Sequence, residues 1–227
     1  MRPRAVFFDL DDTLIDRAGA FARYVEGLIE RHPAAFPPRH RAETLAGIHA
    51  WDRRGAADRA SFCRQVTAAF PGLGLTPEAL WEDMSSRLPR LVGSDEGVCE
   101  WMGSLTARQP VAVVSNGSGR VQRTKLAQAR LTALLPDVFL SGEVGAEKPD
   151  PRIFQAALAR VDRSPGEVLH VGDDPERDIV GAARLGLATC WVSHGRGWPR
   201  ELPPPTFTVE RITTRVQDIA GVIARWT

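Results

Sequence analysis

The segment FFDLDDTL, residues 7–14, places three carboxylates, Asp9, Asp11 and Asp12, in a four-residue turn at the end of an apolar run. Like charges this close repel one another unless a cation sits among them or a proton is shared. Two readings fit these residues alone: a solvated acidic turn, or a site that holds a metal ion or exchanges a proton. Three later segments bear on the choice. In VVSNGSG, Ser115 and Asn116 close a second apolar run and Gly117 is expected to open a helix, so hydroxyl, amide and backbone N–H groups converge as they do in anion sites. The same run departs from the GxGxxG dinucleotide pattern, because Gln122 stands where the third glycine belongs. Lys148, in AEKPDPRIF, directly precedes an expected helix. Of the 29 basic residues only Lys125 and Lys148 are lysines, so a lysine at a strand-to-helix turn hints that a compact point charge is wanted there. Finally, LHVGDDPERDI sets Asp173 and Asp174 directly after an apolar run, with Asp178 one helical turn further on. Asp178 also reads as an ordinary helix N-terminal charge favoured by the dipole.

Other polar residues make weaker claims. His170 lies inside an expected buried strand, and alternation puts it on the face opposite Asp173, which reads as a core histidine. His194, in WVSHGRGWP, falls on a loop at the same end of the sheet and reads as solvated, with a place at the site's border as the alternative. Trp51, Arg53 and Arg54 could face a substrate; amphipathic packing explains Trp51 as well, and solvation the two arginines.

The elements that must position these residues are legible as short apolar runs at Ala5–Phe8, Val111–Val114, Val138–Leu140, Val168–Val171 and Ala188–Val192. Most are followed by a turn rich in Gly, Pro, Ser or Asp and then a helical pattern. One helix starts at Asp150-Pro151, with Asp as N-cap and Pro at the first position, and Ile153, Phe154, Ala157, Leu158 and Val161 form its apolar stripe. Runs too apolar to be half exposed, alternating with helices, predict an α/β fold: a doubly wound parallel sheet covered on both faces. Chemistry in such sheets gathers at the carboxyl ends of the strands. The segment from Asp16 to Arg90 breaks this rhythm. It shows helical stretches at Phe21–Arg31, Arg41–Trp51, Ala60–Phe70 and Pro77–Leu88 and no convincing strand, so residues 16–90 are expected to form a helical subdomain inserted after the first strand. Residues 1–15 and 91–227 are then the sheet domain, with five or six strands.

Composition sets the outer bounds. The chain has 227 residues, 43% hydrophobic and 25% charged, which excludes a long disordered protein or a coiled-coil rod. With 29 Lys and Arg against 28 Asp and Glu and no long run of either sign, nothing steers the chain toward nucleic acid or an anionic membrane. No apolar stretch approaches the roughly 18 residues of a membrane span, and aspartates arrive too early for a signal peptide. A soluble, cytoplasmic protein is expected. Cys63, Cys99 and Cys190 are odd in number and far apart, which fits reduced thiols.

Taken together, FDLDDTL, VVSNG, EKPDPRIF and HVGDDPERD resemble, in order, the four motifs of the haloacid dehalogenase (HAD) superfamily of phosphohydrolases, over a span from Arg4 to about Val192. Position 12, often Gly in that family, is Asp here, a variant also seen in family phosphatases. The helical insert looks like the family's type 1 cap on a Rossmann-like core. The resemblance implies that Asp9 is a nucleophile that takes the phosphoryl group of a small phosphate ester, and that Asp11 is the general acid and then the base. It implies Mg2+ held by Asp9, the backbone carbonyl of Asp11 and Asp173, with Asp174 and Asp178 acting through water or as partners of the ligands. Ser115 would bind a phosphoryl oxygen, joined by the backbone N–H of Asn116 or Gly117, and Lys148 would neutralise charge on the nucleophile and the phosphoryl group.

Competing functions can be weighed on the same residues. A haloacid dehalogenase needs no magnesium and usually lacks the second aspartate of the first motif, so Asp11 with Asp173 argues against it. A phosphonoacetaldehyde hydrolase needs a cap lysine, and no lysine precedes Lys125. A sugar phosphomutase shares the four motifs and stays open. A response-regulator receiver carries its phosphorylated aspartate on a later strand, in a smaller domain. A binding module without catalysis would be expected to lack Asp9, Asp11, Lys148 or Asp173, all of which are present.

Overall fold

Six strands, β1 (Ala5–Phe8), β2 (Val111–Ser115), β3 (Asp137–Leu140), β4 (Val168–Gly172), β5 (Ala188–Val192) and β6 (Phe207–Val209), form one parallel sheet in the order β3-β2-β1-β4-β5-β6. They belong to a computed structural model that describes residues 3–210 and 221–223. Residues 1–2, 211–220 and 224–227 of the expected sheet domain lie outside the described residues. Helices cover both sides of the sheet, the α/β Rossmann-like arrangement that the apolar runs predict. Every residue of β1, β2 and β4 is buried, whereas the edge strands β3 and β6 are partly exposed. The difference is physical: a central parallel strand has helices over both faces, and an edge strand lacks one neighbour.

The chain divides into two compact units, one of Met1–Asp16 with Gly93–Thr227 and one of Arg17–Val92. The second unit is helical, with α1 (Arg17–Arg31), α2 (Arg41–Asp52), α3 (Arg59–Ala69) and α4 (Pro77–Arg87). The starts of α3 and α4 are set by local capping. Asp58 accepts from the Ser61 N–H at 2.8 Å, and Thr76, followed by Pro77, accepts from the Ala79 N–H at 3.2 Å. Its core packs Phe21, Tyr24, Leu28, Ile48, Phe62 and Met84 together, and each large apolar side chain so buried contributes about 1.5–3 kcal/mol. Trp51 packs at the edge of this core, 6.2 Å from the Phe70 ring, while Arg53 and Arg54 are exposed and left-handed, with φ of 48° and 55°. Beneath that turn Asp52 is buried and accepts from Arg17, from Arg59 Nη1 at 3.1 Å and from the Gly55 N–H at 2.9 Å.

In the first unit, α5 (Glu96–Thr106), α6 (Gly119–Gln128), the short α7 (Ser141–Val144), α8 (Pro151–Val161) and α9 (Gly181–Ala183) flank the sheet. Asp150 caps α8, accepting from the Arg152 N–H at 2.9 Å, and the expected stripe of Ile153, Phe154, Ala157, Leu158 and Val161 is buried against strand residues such as Phe7 and Val114. No helix among the described residues is long and apolar enough to cross a membrane. The three cysteines are free thiols.

Strand order locates the site. From β1 the chain steps outward to β2 and β3, then returns to lay β4 on the other side of β1. That reversal is the topological switch at which ligands bind in open α/β sheets. Asp9 follows β1, Ser115 ends β2 and Asp173 follows β4, so these residues stand on three neighbouring strand ends.

Candidate active site

Asp9 is fixed by backbone pairing: its N–H donates to the Val171 carbonyl at 2.9 Å, which holds the residue at the β1–β4 seam. Its side chain is buried and its Oδ1 accepts from Lys148 Nζ at 2.7 Å. Lys148, also buried, donates in addition to Asp178 Oδ1 at 2.6 Å and to the Val114 carbonyl at 2.7 Å. Three acceptors match the three ammonium protons, the condition under which a buried lysine is tolerated. Burial works against the charge on Lys148, but Asp178 and Asp9 outweigh it and hold the amine protonated well above its ordinary range.

Asp178 is not the solvated helix charge that its position after Asp173-Asp174 also suggested. It is 1% exposed. Pro175–Val180 forms a π turn rather than a regular first helical turn, and the Asp178 carboxylate receives Lys148 and His170 Nε2 (3.0 Å) on Oδ1 and the Asp174 N–H (3.0 Å) on Oδ2. Burial would raise its pKa, yet Lys148 and His170 together hold it below the ordinary carboxylate range. His170 is the buried strand histidine expected from alternation, and it also touches the site: burial pushes its pKa down against the pull of Asp178, its Nε2–H serves Asp178, and Nδ1 has no partner. Asp174 spends its side chain on capping, accepting from the N–H groups of Glu176 (3.0 Å) and Arg177 (2.9 Å).

Asp173 is held by the loop after β5, through Arg196, a residue that sequence reasoning passed over while weighing its neighbour His194. Arg196 Nη2 donates to the Asp173 carbonyl at 2.8 Å and to Oδ2 at 3.0 Å, and Trp191 Nε1 donates to the same carbonyl at 3.0 Å. Strand β6 anchors this loop, because the N–H groups of Ser193 and His194 pair with the carbonyls of Val209 and Glu210, each at 2.8 Å. His194 in turn donates from Nε2 to the Asp12 carbonyl at 2.6 Å, so it borders the acidic turn. Asp12 has φ of 54°, a left-handed conformation natural to Gly and tolerated by Asp.

On the other flank, Ser115 Oγ is buried and accepts from Gln122 Nε2 at 2.8 Å. Asn116 braces Lys148 instead of pointing to open space: its Oδ1 accepts from the Lys148 N–H at 2.8 Å and its Nδ2 donates to the Lys148 carbonyl at 3.0 Å. Gly117 N–H donates to Ser141 Oγ at 2.9 Å. Gly117 does not begin α6; its φ of 140° belongs to the loop, and the helix starts at Gly119 after Ser118. The Asp11 side chain turns toward α6. It pairs with Lys125 on α6, the other lysine of the chain.

The donor set fits a hard divalent cation. One carboxylate oxygen each from Asp9, Asp173 and Asp178 lies within 4.8 Å of the others. Burial foremost, against Lys148 and with Asp178 and Asp11 adding to it, pushes Asp9 up to about 7. Burial, with Asp178, Asp9 and Asp12 adding and Arg196 opposing, raises Asp173 well above its usual range. Carboxylates this reluctant to ionise together are what a bound cation relieves. Sequence reasoning expected Asp9, Asp173 and the Asp11 carbonyl; the cluster adds Asp178 and leaves the Asp11 side chain on another partner.

The chain can be set beside known proteins. A family profile described as haloacid dehalogenase-like hydrolase matches residues 3–186. The N-acylneuraminate-9-phosphatase of Rattus norvegicus is 28% identical over 93% of this chain and 91% of the relative. The pyrimidine 5'-nucleotidase YjjG of Escherichia coli is 31% identical over 62% of this chain and 63% of the relative. Among solved structures, the HAD-hydrolase YfnB from Bacillus subtilis bound to magnesium aligns with a TM-score of 0.80 at 22% identity, over 98% of this chain and 99% of that one.

Proposed function

The chain belongs to the haloacid dehalogenase-like hydrolases, and from that membership we propose a magnesium-dependent phosphatase that hydrolyses a small phosphomonoester through an aspartyl-phosphate on Asp9. One observation carries the reading: a buried ammonium, Lys148, joins Asp9 and Asp178 within hydrogen-bond distance, beside Asp173, at the switch point of the sheet. The phosphatase-named relatives support it.

In this reading an Asp9 carboxylate oxygen attacks phosphorus as the ester P–O bond breaks, and the departing oxygen takes a proton from Asp11. Asp11, now a carboxylate, takes a proton from water; the oxygen of that water attacks phosphorus, the bond to Asp9 breaks, and inorganic phosphate leaves. Ser115 Oγ, at the end of β2, donates to a phosphoryl oxygen. Lys148 offsets charge on Asp9 and on the phosphoryl group, and Asn116 holds Lys148 in place through its backbone. Mg2+, held by Asp9 and Asp173 with the Asp11 carbonyl or Asp178, would supply charge neutralisation at the phosphoryl oxygens. Phosphoryl transfer depends mainly on such positioning and charge stabilisation.

The Arg17–Val92 unit is read as the cap that selects the leaving group. The substrate is read as a soluble phosphate ester of the cytoplasm, of the sugar-acid or nucleoside monophosphate type named in the relatives. The test is Asp9→Asn in the full chain. Magnesium-dependent hydrolysis of an aryl phosphate is expected to fall by at least about a thousandfold while the melting curve persists, and a panel containing N-acylneuraminate 9-phosphate and pyrimidine 5'-nucleotides identifies the substrate class. Turnover undiminished in Asp9→Asn sinks the assignment.

A further inference from the structure

Asp11 is gripped from α6. Lys125 Nζ donates to both of its oxygens, at 2.8 and 2.7 Å, and Gln122 Nε2 donates to Oδ2 at 3.1 Å. Lys125 and Gln122 are buried, 4% and 1% exposed. They sit one turn apart on the same helix face, the spacing at which side chains act as neighbours. The Gln122 amide also donates to Ser115 Oγ at 2.8 Å and to the Asn116 carbonyl at 3.2 Å. One side chain therefore ties the carboxyl group of Asp11 to the hydroxyl at the end of β2. Room for this reach comes from Gly117, where a β-carbon would stand 3.0 Å from Gln122 Cγ and Cδ.

We propose that Lys125 and Gln122 are positioning residues for Asp11, a clamp that holds its carboxyl in one orientation relative to Ser115 through both halves of the reaction. The inference rests on the phosphatase reading above, in which Asp11 serves first the leaving oxygen and then water. A short side chain that must meet two different oxygens in turn gains from being held: misplacing a reacting group by about 1 Å can cost on the order of a hundredfold in rate. A buried ammonium and carboxylate are costly to desolvate and costly to separate once paired, so the Lys125–Asp11 pair holds its geometry firmly. Lys125 Nζ spends two of its protons on the Asp11 carboxyl, so its effect is expected to pass through Asp11.

The test uses the full chain with Mg2+ and two substrates, an alkyl phosphate, whose departing oxygen needs a proton, and 2,4-dinitrophenyl phosphate, whose departing oxygen does not. Lys125→Met is expected to lower kcat on the alkyl ester about 10- to 100-fold with KM changed less than about threefold, because general acid–base assistance supplies roughly 10²- to 10⁴-fold and only its alignment is lost. The loss is expected to be several-fold smaller on the dinitrophenyl ester. Lys125→Arg should recover much of the rate. On an Asp11→Asn background, Lys125→Met should change kcat less than about twofold, since residues acting through one group are not additive. Should Lys125→Met fail to fold, Gln122→Ala is expected to give the same pattern, smaller in size. Wild-type kcat in Lys125→Met or Gln122→Ala, or equal losses on both esters and on the Asp11→Asn background, overturns the clamp while leaving the phosphatase reading intact. A wild-type chain that hydrolyses neither ester overturns that reading, and the clamp with it.

Discussion

Gly172 and Asp178 are packed so closely that a β-carbon added to Gly172 would stand 2.3 Å from Asp178 Cγ. The last residue of β4 is therefore glycine for want of space, and the Asp178 carboxylate fills the volume a side chain would need. That close approach is what lets one aspartate reach Lys148, His170 and the Asp174 backbone together.

Gly172→Ala should consequently push Asp178 out of its pocket. Overpacking of this kind costs about 1–3 kcal/mol, and activity is expected to drop at least tenfold as Lys148 loses one of its acceptors. Gly166→Ala, where an added β-carbon meets nothing within 4 Å, is the control and should melt like the parent. Thermal melting and aryl phosphate hydrolysis of the two variants decide the matter, and equal behaviour of the pair would contradict the packing argument.

Burial raises the Asp9 carboxyl from 3.8 to about 7. Its folded-state pKa lies above its unfolded one, so without metal its contribution to stability is present below the unfolded value and is lost as pH rises through about 7. Metal ligands bind in the ionised form, so Mg2+ affinity should rise over the same interval. The upward shift in melting temperature on adding Mg2+ is expected to be several degrees larger near pH 8 than near pH 5.5. Equal shifts at the two pH values would count against Asp9 as a ligand.

Within the Arg17–Val92 unit, Asp52 carries the opposite sign. Burial pushes its carboxyl up, but hydrogen bonding and charge from Arg17, then Arg59, hold it below its ordinary value. The stability this group contributes is present above the unfolded pKa and is lost as pH falls through the folded one. Asp52→Asn leaves the Arg17 guanidinium buried without its counter-charge, a change that typically costs about 3–5 kcal/mol. The variant should melt well below the parent at neutral pH, with the gap narrowing in acid. A constant gap from pH 7 down to pH 3 would assign the loss to packing instead.

How much of this was legible in the residues depends on the physical signal each one leaves. Strands β1, β2, β4 and β5 stand out because covering a parallel strand on both faces demands a largely apolar run, such as AVFF or the VAVV that precedes Ser115. Strand β6 is three residues, FTV, at an edge where the central threonine is exposed, and no periodicity survives at that length. Asp9 and Asp173 are conspicuous as acidic residues directly after apolar runs. Asp178 carries the same residue type as any helix N-terminal charge, and only the π turn and the bare Gly172 draw it inward. Gln122 stood out as a departure from a glycine pattern and Lys125 as the second lysine, yet neither feature names a partner. Arg196 is one of 27 arginines and left no signal at all.

By itself the sequence determined the fold class, the family motifs and which polar residues stand at strand ends, because burial and chain turns write themselves into local composition. Tertiary structure decided who touches whom. Lys148 meets Asp9 across 139 positions, Lys125 meets Asp11 across 114, and Gln122 meets Asp11 across 111. Those meetings follow from strand order and register, which lay β1 between β2 and β4 and bring α6 beside the acidic turn. The two lysines look alike in sequence; the strand order sends one to the Asp9–Asp178 pair and the other to Asp11.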